Sequence, residues 1–130
     1  MKIAVTGLAA MIAGCTAPQP STTTAWGANG PIAEVGGRVA GTPQRCVTVE
    51  QSQGLRAANR STLVYRSGRI IWVNHVQGGC GSFGQWDVLV TEPLGTQYCQ
   101  GDLVRSFDPV SKIPGPSCRM GEFIPYTRPK

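Results

Sequence analysis

The stretch Thr62–Val76 reads TLVYRSGRIIWVNHV and determines the fold class. Two runs rich in β-branched and aromatic residues, Thr62–Arg66 and Arg69–Val76, flank the dipeptide Ser67-Gly68. A glycine at such a connection supplies the positive φ that a two-residue hairpin loop requires. The pattern therefore predicts a β-hairpin.

A two-residue loop at Ser67-Gly68 also fixes which residues of the two strands lie opposite each other. The pairs expected on the two faces of the hairpin are Tyr65 with Ile70, Leu63 with Trp72, Val64 with Ile71, and Thr62 with Val73. Both faces are largely apolar, so we expect the hairpin inside a curled sheet rather than at an exposed edge.

Further strands are predicted where short apolar runs lie between turn signals. They are Cys46–Glu50, Trp86–Thr91, Asp102–Phe107 and Met120–Tyr126, with connections at Glu92–Gly95, Asp108-Pro109 and Pro114–Pro116. Only Gln51–Asn59 has the composition of a short helix. Five to six short strands with at most one short helix indicate an all-β fold, a small antiparallel barrel or sandwich.

Composition limits what the chain can be. Its 130 residues leave room for one small domain, which excludes a multidomain enzyme. With 17 glycines and 10 prolines, the chain is rich in turn formers, which argues against a helical bundle.

The first fourteen residues are typical of a signal peptide: Lys2 precedes an apolar run too short to span a bilayer. Ile12-Ala13-Gly14-Cys15 resembles the lipobox of bacterial lipoproteins, which predicts cleavage before Cys15 and lipidation of its thiol. The alternative is a secretory peptide that is cut elsewhere, with Cys15 an incidental thiol. Cleavage after residue 14 removes Lys2 and no acid, so the net charge falls from +5 to +4.

We predict three segments: a signal peptide over 1–14, a lipidated cysteine with a flexible tether over 15–36, and a β-domain over 37–130. The tether, rich in Pro, Ser, Thr and Gly, would hold the domain roughly 20 to 25 Å from the bilayer. Trp26 is expected to touch the domain or the lipid interface. The resemblance to bacterial lipoproteins implies a location as well, because those that lack aspartate after the cysteine go to the outer membrane of Gram-negative bacteria. Here Thr16 follows the cysteine, so we expect attachment to the outer membrane, facing the periplasm.

Four cysteines remain besides Cys15. An even number of cysteines in a chain that is expected to be exported predicts disulfides, here two of them. The four cysteines are Cys46, Cys80, Cys99 and Cys118, which allow three pairings. An up-and-down meander favours Cys80–Cys118 and Cys46–Cys99 without excluding the others. A metal site is the competing interpretation, but no two of these cysteines have zinc-knuckle spacing and His75 is the only histidine, so no metal and no cofactor are expected.

No catalytic constellation is evident in the sequence. Gly79–Gly84 has the letters of a dinucleotide-binding loop, but a strand pattern follows where a helix is needed. Ser82 lacks the flanking glycines of a nucleophile elbow. A pair of carboxylates is the catalytic alternative, drawn from Asp87, Glu92, Asp102, Asp108 and Glu122.

Arginines supply most of the positive charge and are spread along the chain. Arg66 and Arg69 are predicted to form a small cationic tip at the hairpin turn, which Arg60 would extend. Such a tip would contact lipopolysaccharide, peptidoglycan carboxylates or another acidic partner, unless it is simply a solvated turn. We expect no nucleic-acid partner, because the domain is predicted to be exported and its sequence has no stripe of basic and aromatic residues.

The order of motifs resembles DUF6491, a family of proteobacterial lipoproteins without an assigned activity. The resemblance spans Arg38–Tyr126 and rests on the lipobox, Cys46, Gly79-Cys80, the Cys99–Asp102 run CQGD and the Cys118–Phe123 run CRMGEF. It implies a single periplasmic domain. Asp102 is the candidate structural polar residue, expected to cap backbone amides or to pair with Arg105 or Arg119.

The sequence as a whole predicts a non-catalytic binding or structural module of the cell envelope, anchored through Cys15 and without an identified partner. One alternative is a small carboxylate-dependent hydrolase. Another is an inhibitor of a periplasmic or host hydrolase that acts through the loop Asp108–Pro116.

Overall fold

The computed structural model describes residue 14 and residues 32–50, 53–77, 80 and 82–130. Cys15, Trp26, nearly all of the signal peptide and most of the tether lie outside the described residues. The described part contains ten strands: β1 (Val39–Ala40), β2 (Cys46–Thr48), β3 (Arg56–Asn59), β4 (Thr62–Ser67), β5 (Ile70–His75), β6 (Val88–Thr91), β7 (Gln97–Cys99), β8 (Leu103–Phe107), β9 (Pro114–Arg119) and β10 (Phe123–Thr127). The predicted all-β class is confirmed, whereas five to six strands was too few.

The strands form three antiparallel sheets. The largest has the order β1-β10-β5-β4-β3, a second pairs β2 with β7, and the third has the order β6-β8-β9. No sheet among the described residues closes into a barrel, so of the two predicted architectures the sandwich fits. No helix in the described part of the chain is long and apolar enough to cross a membrane.

The predicted hairpin is present, and as expected it lies inside its sheet, but its predicted register is wrong by two residues. Tyr65 lies opposite Trp72 rather than Ile70, and Ser67 lies opposite Ile70. The loop is therefore Gly68-Arg69 instead of Ser67-Gly68. Gly68 has φ +57° and stands first in the loop, the position that a type II′ turn reserves for glycine.

The short helix expected within Gln51–Asn59 is not observed in the described residues 53–59. Arg56–Asn59 forms β3 instead, pairing Ala57 with Leu63 of β4. Burial alternates along β3, with Ala57 and Asn59 inside. This period of two, together with the pairing to β4, overrides the weak helical composition.

The predicted turn at Pro114–Pro116 is also corrected, because these residues begin β9. Strand β9 pairs with β8 alone in its sheet, so each proline can direct its missing N–H side to the open edge. Gly115 is needed here because a Cβ on it would come within 2.5 Å of the Ser106 hydroxyl.

The main core lies between the sheets. The core includes side chains from all three sheets, with Val47 and Tyr98 coming from the two-stranded sheet. Its most deeply buried members lie in the other two sheets and in the segments before β6 and β10: Leu63, Tyr65, Phe83, Val104, Met120 and Phe123. A second, smaller cluster covers the other face of the large sheet, where Ile32 and Val35 pack against Val64, Ile71 and Val73. Packing thus begins on the tether side of the predicted boundary at residue 37.

Two disulfides are present, in the pairing that the meander order favoured. Cys46–Cys99 links the paired strands β2 and β7, and Cys80–Cys118 links the chain after β5 to β9. The bridges span 53 and 38 residues of sequence. In a domain this small, each closes a long loop and so strongly restricts the unfolded chain.

Candidate functional site

A basic groove lies at the end of the large sheet that carries the β4–β5 turn. It has a volume of about 720 Å³, and its lining consists of Arg38, Arg66, Arg69, Thr127, Arg128, Pro129 and Lys130. Five of these seven residues are cations. Among the described residues that line the groove, none is acidic.

Strand register brings these cations together. Val39 of β1 pairs with Thr127 of β10, so Arg38 and Arg128 lie one position further along the same two strands. Strand β10 in turn pairs with β5, which places Arg128 beside Arg69 at the start of β5. Neighbouring strands are about 4.8 Å apart, so three guanidinium groups project from adjacent positions at one sheet end.

Backbone contacts hold part of the groove in place. Arg38 donates a hydrogen bond from Nη1 to the carbonyl oxygen of Arg69 at 2.6 Å, which ties the chain entering β1 to the hairpin turn. Arg66 contacts the carbonyl oxygen of Gly68 through Nε at 3.5 Å, at the limit of a hydrogen bond. Each guanidinium has five N–H donors, so most donors remain directed at the groove or at solvent.

The acids near the groove have other partners. Glu34 forms an ion pair with Arg56 in an adjoining cavity of about 350 Å³, which shares Arg66 with the groove. Glu50 accepts a hydrogen bond of 2.6 Å from the Ser67 hydroxyl. Among the described residues, none of the five groove cations forms a salt bridge.

Tyr65 lines the adjoining cavity and connects two strands. Its hydroxyl donates to the Thr48 carbonyl oxygen at 3.0 Å and accepts from the Glu50 N–H at 2.6 Å. Burial raises the pKa of this hydroxyl above its usual value, and the Glu50 N–H partly opposes that shift. The phenol therefore stays neutral at physiological pH and acts as a structural link between β4 and β2.

The groove has the chemistry of an anion-binding surface. Guanidinium groups bind phosphate and carboxylate through two parallel hydrogen bonds, and clustered cations without acids concentrate a positive potential. Four of the seven residues that line the groove are arginines, so the chemistry that this lining offers most directly is anion binding.

The predicted cationic tip is found only in part. Arg66 and Arg69 line the groove, but Arg60 lies in the β3–β4 turn at the opposite end of β4 and does not contribute. The sequence analysis missed Arg38, Arg128 and Lys130, because they come close to the hairpin turn only through the pairing of β1, β10 and β5, which are distant in sequence. The sequence signal that could have pointed to the groove is the pair of basic residues Arg128 and Lys130 in the segment 128–130.

The five candidate carboxylates do not converge on one site. Three of them accept backbone N–H groups: Asp87 from Gly84 at 2.7 Å, Asp102 from Cys99 at 2.8 Å, and Asp108 from both Val110 and Ser111 at 2.8 Å. Glu92 borders a small cavity of about 60 Å³, and Glu122 is exposed before β10.

Asp102 caps backbone, which is one of the two roles expected of it. Besides the carboxylate contact, its own N–H donates to the Cys99 carbonyl oxygen at 3.1 Å, and its carbonyl oxygen accepts from the Met120 N–H at 2.9 Å. Gly101 precedes it with φ +91°. This turn connects the disulfide at Cys99 to the start of β8.

The remaining residues singled out in the sequence also lie apart. His75 is exposed at the end of β5, with Nδ1 3.1 Å from the Thr62 hydroxyl, and Ser82 is exposed in the loop before β6. The Gly79–Gly84 segment, of which residues 80 and 82–84 are described, leads into β6 rather than into a helix. No cluster of three or more His, Cys, Asp or Glu side chains in the described part is placed to hold a metal ion.

Comparisons with protein-family models, curated proteins and solved structures found no match to the chain. The resemblance to DUF6491 lipoproteins therefore stays a prediction. The inferences about function rest on the groove, the disulfides and the sequence motifs themselves.

Proposed function

We propose that the chain is a lipid-anchored module of the cell envelope whose β-domain binds an anionic partner through the basic groove, without catalysing a reaction. The observation that carries this proposal is the convergence of five cations on one groove with no acid in its described lining. The partner is an envelope polymer or protein bearing phosphate or carboxylate groups.

The placement of the carboxylates supports a binding role over the alternative hydrolase. A glycosidase-type pair needs two carboxyl groups roughly 5 to 9.5 Å apart across one cleft. Here Asp87, Asp102 and Asp108 each accept hydrogen bonds from nearby backbone amides in separate turns. Their oxygens hold loops in place, which is a structural use of acid groups.

The disulfides and the N-terminal motif support the proposed location. Two bridges are stable in an oxidising compartment such as the periplasm, and the lipobox ending at Cys15 would attach the domain to a membrane there. Thr16 after the cysteine favours the outer membrane, with the domain facing the periplasm.

The binding proposal is tested with inorganic polyphosphate as the probe. Replacing Arg66→Ala and Arg69→Ala together removes two groove cations, and we expect at least about tenfold weaker binding because charge-assisted hydrogen bonds contribute about 1.5 to 3 kcal/mol each. The matched control is Arg60→Ala with Arg105→Ala, which removes two exposed arginines outside the groove. Equal losses from both double variants would show non-specific charge attraction and would reject the groove as the site.

The anchor is tested separately by feeding cells a palmitate analogue. We expect the wild type to be labelled and membrane-bound, and Cys15→Ser to be unlabelled and released into the soluble envelope fraction. Cys80→Ser controls for general effects of losing a cysteine and keeps the label. An unlabelled wild type, or a Cys15→Ser protein that stays on the membrane, would remove the lipid anchor.

A further inference from the structure

A cluster of exposed apolar side chains lies where β6 begins beside the β8–β9 loop. Trp86 is 78% exposed, Val110 90% and Ile113 66%, and Val88 is 42% exposed at the start of β6. Val88 pairs with Phe107, the last residue before the loop, so strand register places all four at one sheet end. We call these four residues the apolar tip.

The chain holds this tip in a defined conformation. Asp108 Oδ1 accepts hydrogen bonds from the Val110 and Ser111 N–H groups, each at 2.8 Å, and Asp108 N–H donates to the Ile113 carbonyl oxygen at 3.2 Å. Lys112 closes the loop with a left-handed φ of 60°. The loop therefore presents apolar side chains to solvent on an organised backbone.

A similar contact supports Trp86. The Asp87 carboxylate accepts from the Gly84 N–H at 2.7 Å, and the Asp87 N–H donates back to the Gly84 carbonyl oxygen at 3.3 Å, which forms a tight turn around Trp86. Both acids beside the tip thus bind backbone amides, and Lys112 is the cation within the β8–β9 loop.

The apolar tip and the basic groove lie at opposite ends of the sandwich. An antiparallel bridge joins Gln77, just beyond β5, to Arg119 at the end of β9. Because the bridge is antiparallel, β9 leads back from Arg119 towards Pro114 in the direction in which β5 runs, away from the β4–β5 turn. The β8–β9 loop, which precedes Pro114, is therefore at the far end.

The chemistry of the tip fits a lipid surface. Tryptophan concentrates at the boundary between lipid headgroups and acyl chains, aliphatic side chains enter the acyl region, and a lysine reaches back to phosphate. The tip is also small. A whole large side chain offers roughly 150 to 250 Å², so four partly exposed ones supply less than the roughly 800 Å² per partner of a stable protein interface.

We propose that the apolar tip inserts into the surface of a lipid bilayer, so that the domain rests on the membrane by one end and presents the basic groove at the other. This contact needs neither the lipid on Cys15 nor the groove cations. It goes beyond anion binding, because it sets which surface of the domain faces the membrane.

The test uses the unlipidated chain without the apolar segment 1–14, carrying Cys15→Ser, with Trp26→Phe to simplify its fluorescence. Trp72 is buried in the core, so the emission of Trp86 reports on the tip. Vesicles of phosphatidylcholine have no net charge, so they do not attract the groove through long-range electrostatics. We expect the emission to shift to the blue on vesicle addition, and bromine-labelled acyl chains to quench it.

A matched pair of variants makes the test specific. Val110 and Leu94 are both 90% exposed, but Leu94 lies beyond the other end of β6. We expect Val110→Ser to weaken vesicle partitioning about tenfold, as expected for losing a buried aliphatic group, and Leu94→Ser to leave it unchanged.

Several outcomes would overturn the proposal. These are the absence of any shift with vesicles, or equal losses in Val110→Ser and Leu94→Ser. So would a Trp86 shift that depends on protein concentration without vesicles, because the tip would then bind a second copy of the chain. None of these results affects polyphosphate binding by the groove, so the two proposals fail independently.

Discussion

The two ends of the sandwich use hairpin turns for opposite purposes. At the basic end, the β4–β5 turn is a two-residue loop that begins at Gly68, and arginines at the ends of β1, β4, β5 and β10 converge beside it. At the apolar end, the longer β8–β9 loop is held by Asp108 and presents its own side chains. The basic surface therefore depends on long-range pairing, and the apolar surface on local hydrogen bonds.

This contrast suggests two classes of substitution: those in the sandwich core, which affect folding, and those at its two ends, which affect binding. If the groove and the apolar tip are both binding surfaces on one rigid sandwich, substitutions that destabilise the sandwich should weaken binding at both ends. Changes at one end should leave the other end and the overall stability intact.

The largest expected effect is the loss of a disulfide. Closure of loops of 38 and 53 residues corresponds to about 4 kcal/mol each in the chain-entropy account. We expect Cys80→Ala with Cys118→Ala to lower the free energy of unfolding by about that amount in urea denaturation. Unchanged stability in the double variant would show that the bridge does not constrain the chain.

The next effect concerns a buried amide in the large sheet. Asn74 is 1% exposed; its Nδ2 donates to the Gly121 carbonyl oxygen at 2.8 Å and its Oδ1 accepts from the Gly121 N–H at 2.9 Å. Asn74→Ala leaves both backbone groups unpaired in the core, so we expect a loss of about 2 to 4 kcal/mol.

The neighbouring residue provides the control for that measurement. His75 is exposed on the same strand, and we expect His75→Ala to change the free energy of unfolding by less than about 0.5 kcal/mol. If the two variants are equally stable, the link between Asn74 and Gly121 contributes nothing to the scaffold.

A smaller change, which raises the stability of the domain instead of lowering it, is expected at Ser106 beside β9. The Ser106 hydroxyl is buried with no hydrogen-bond partner among the described residues, which costs desolvation energy. Ser106→Ala should therefore stabilise the domain by about 1 kcal/mol in thermal denaturation. Gly115→Ala, whose Cβ would meet this hydroxyl, should be destabilising in the wild type and better tolerated together with Ser106→Ala.

The smallest effect is a pH dependence confined to the apolar end. Backbone N–H groups of Ser111 and Val110 lower the pKa of the Asp108 carboxyl below its ordinary value. The carboxylate therefore stabilises the loop fully above about pH 4, the pKa of an unfolded aspartate, and this stabilisation is lost as the pH falls through the lower folded pKa.

Amide hydrogen exchange at Val110 and Ser111 measures this loss. We expect protection, corrected for the intrinsic exchange rate, to fall at pH 3 relative to pH 6 in the wild type. Asp108→Asn keeps an acceptor oxygen but does not titrate, so its corrected protection should not change between these pH values. The same fall in both proteins would place the pH effect elsewhere.

Local patterns predicted much of the scaffold. The apolar run Thr62–Val76 predicted the central hairpin, and the even number of cysteines with a meander order favoured the pairing that is observed. The register error arose because a glycine fits either loop position, depending on the turn type. The edge strand β9 was missed because prolines usually indicate turns.

The candidate site was harder to predict, because its parts are distant in sequence. Arg66 and Arg69 are close along the chain and were found, whereas Arg38 and Arg128 meet them only through the pairing of β1, β10 and β5. The apolar tip was missed for a related reason: Val110 and Ile113 lie in a predicted loop, and nothing in the sequence places Trp86 beside them.

The most direct test of two independent ends is one binding experiment on three proteins. All three lack residues 1–14 and carry Cys15→Ser, so no lipid holds them on vesicles: one has no further change, one carries Arg66→Ala with Arg69→Ala, and one carries Val110→Ser. Each is titrated with polyphosphate and with phosphatidylcholine vesicles. We predict that the arginine variant loses polyphosphate binding and keeps vesicle binding, and that Val110→Ser does the reverse. A variant that weakens both interactions, or two variants that weaken neither, would contradict the account.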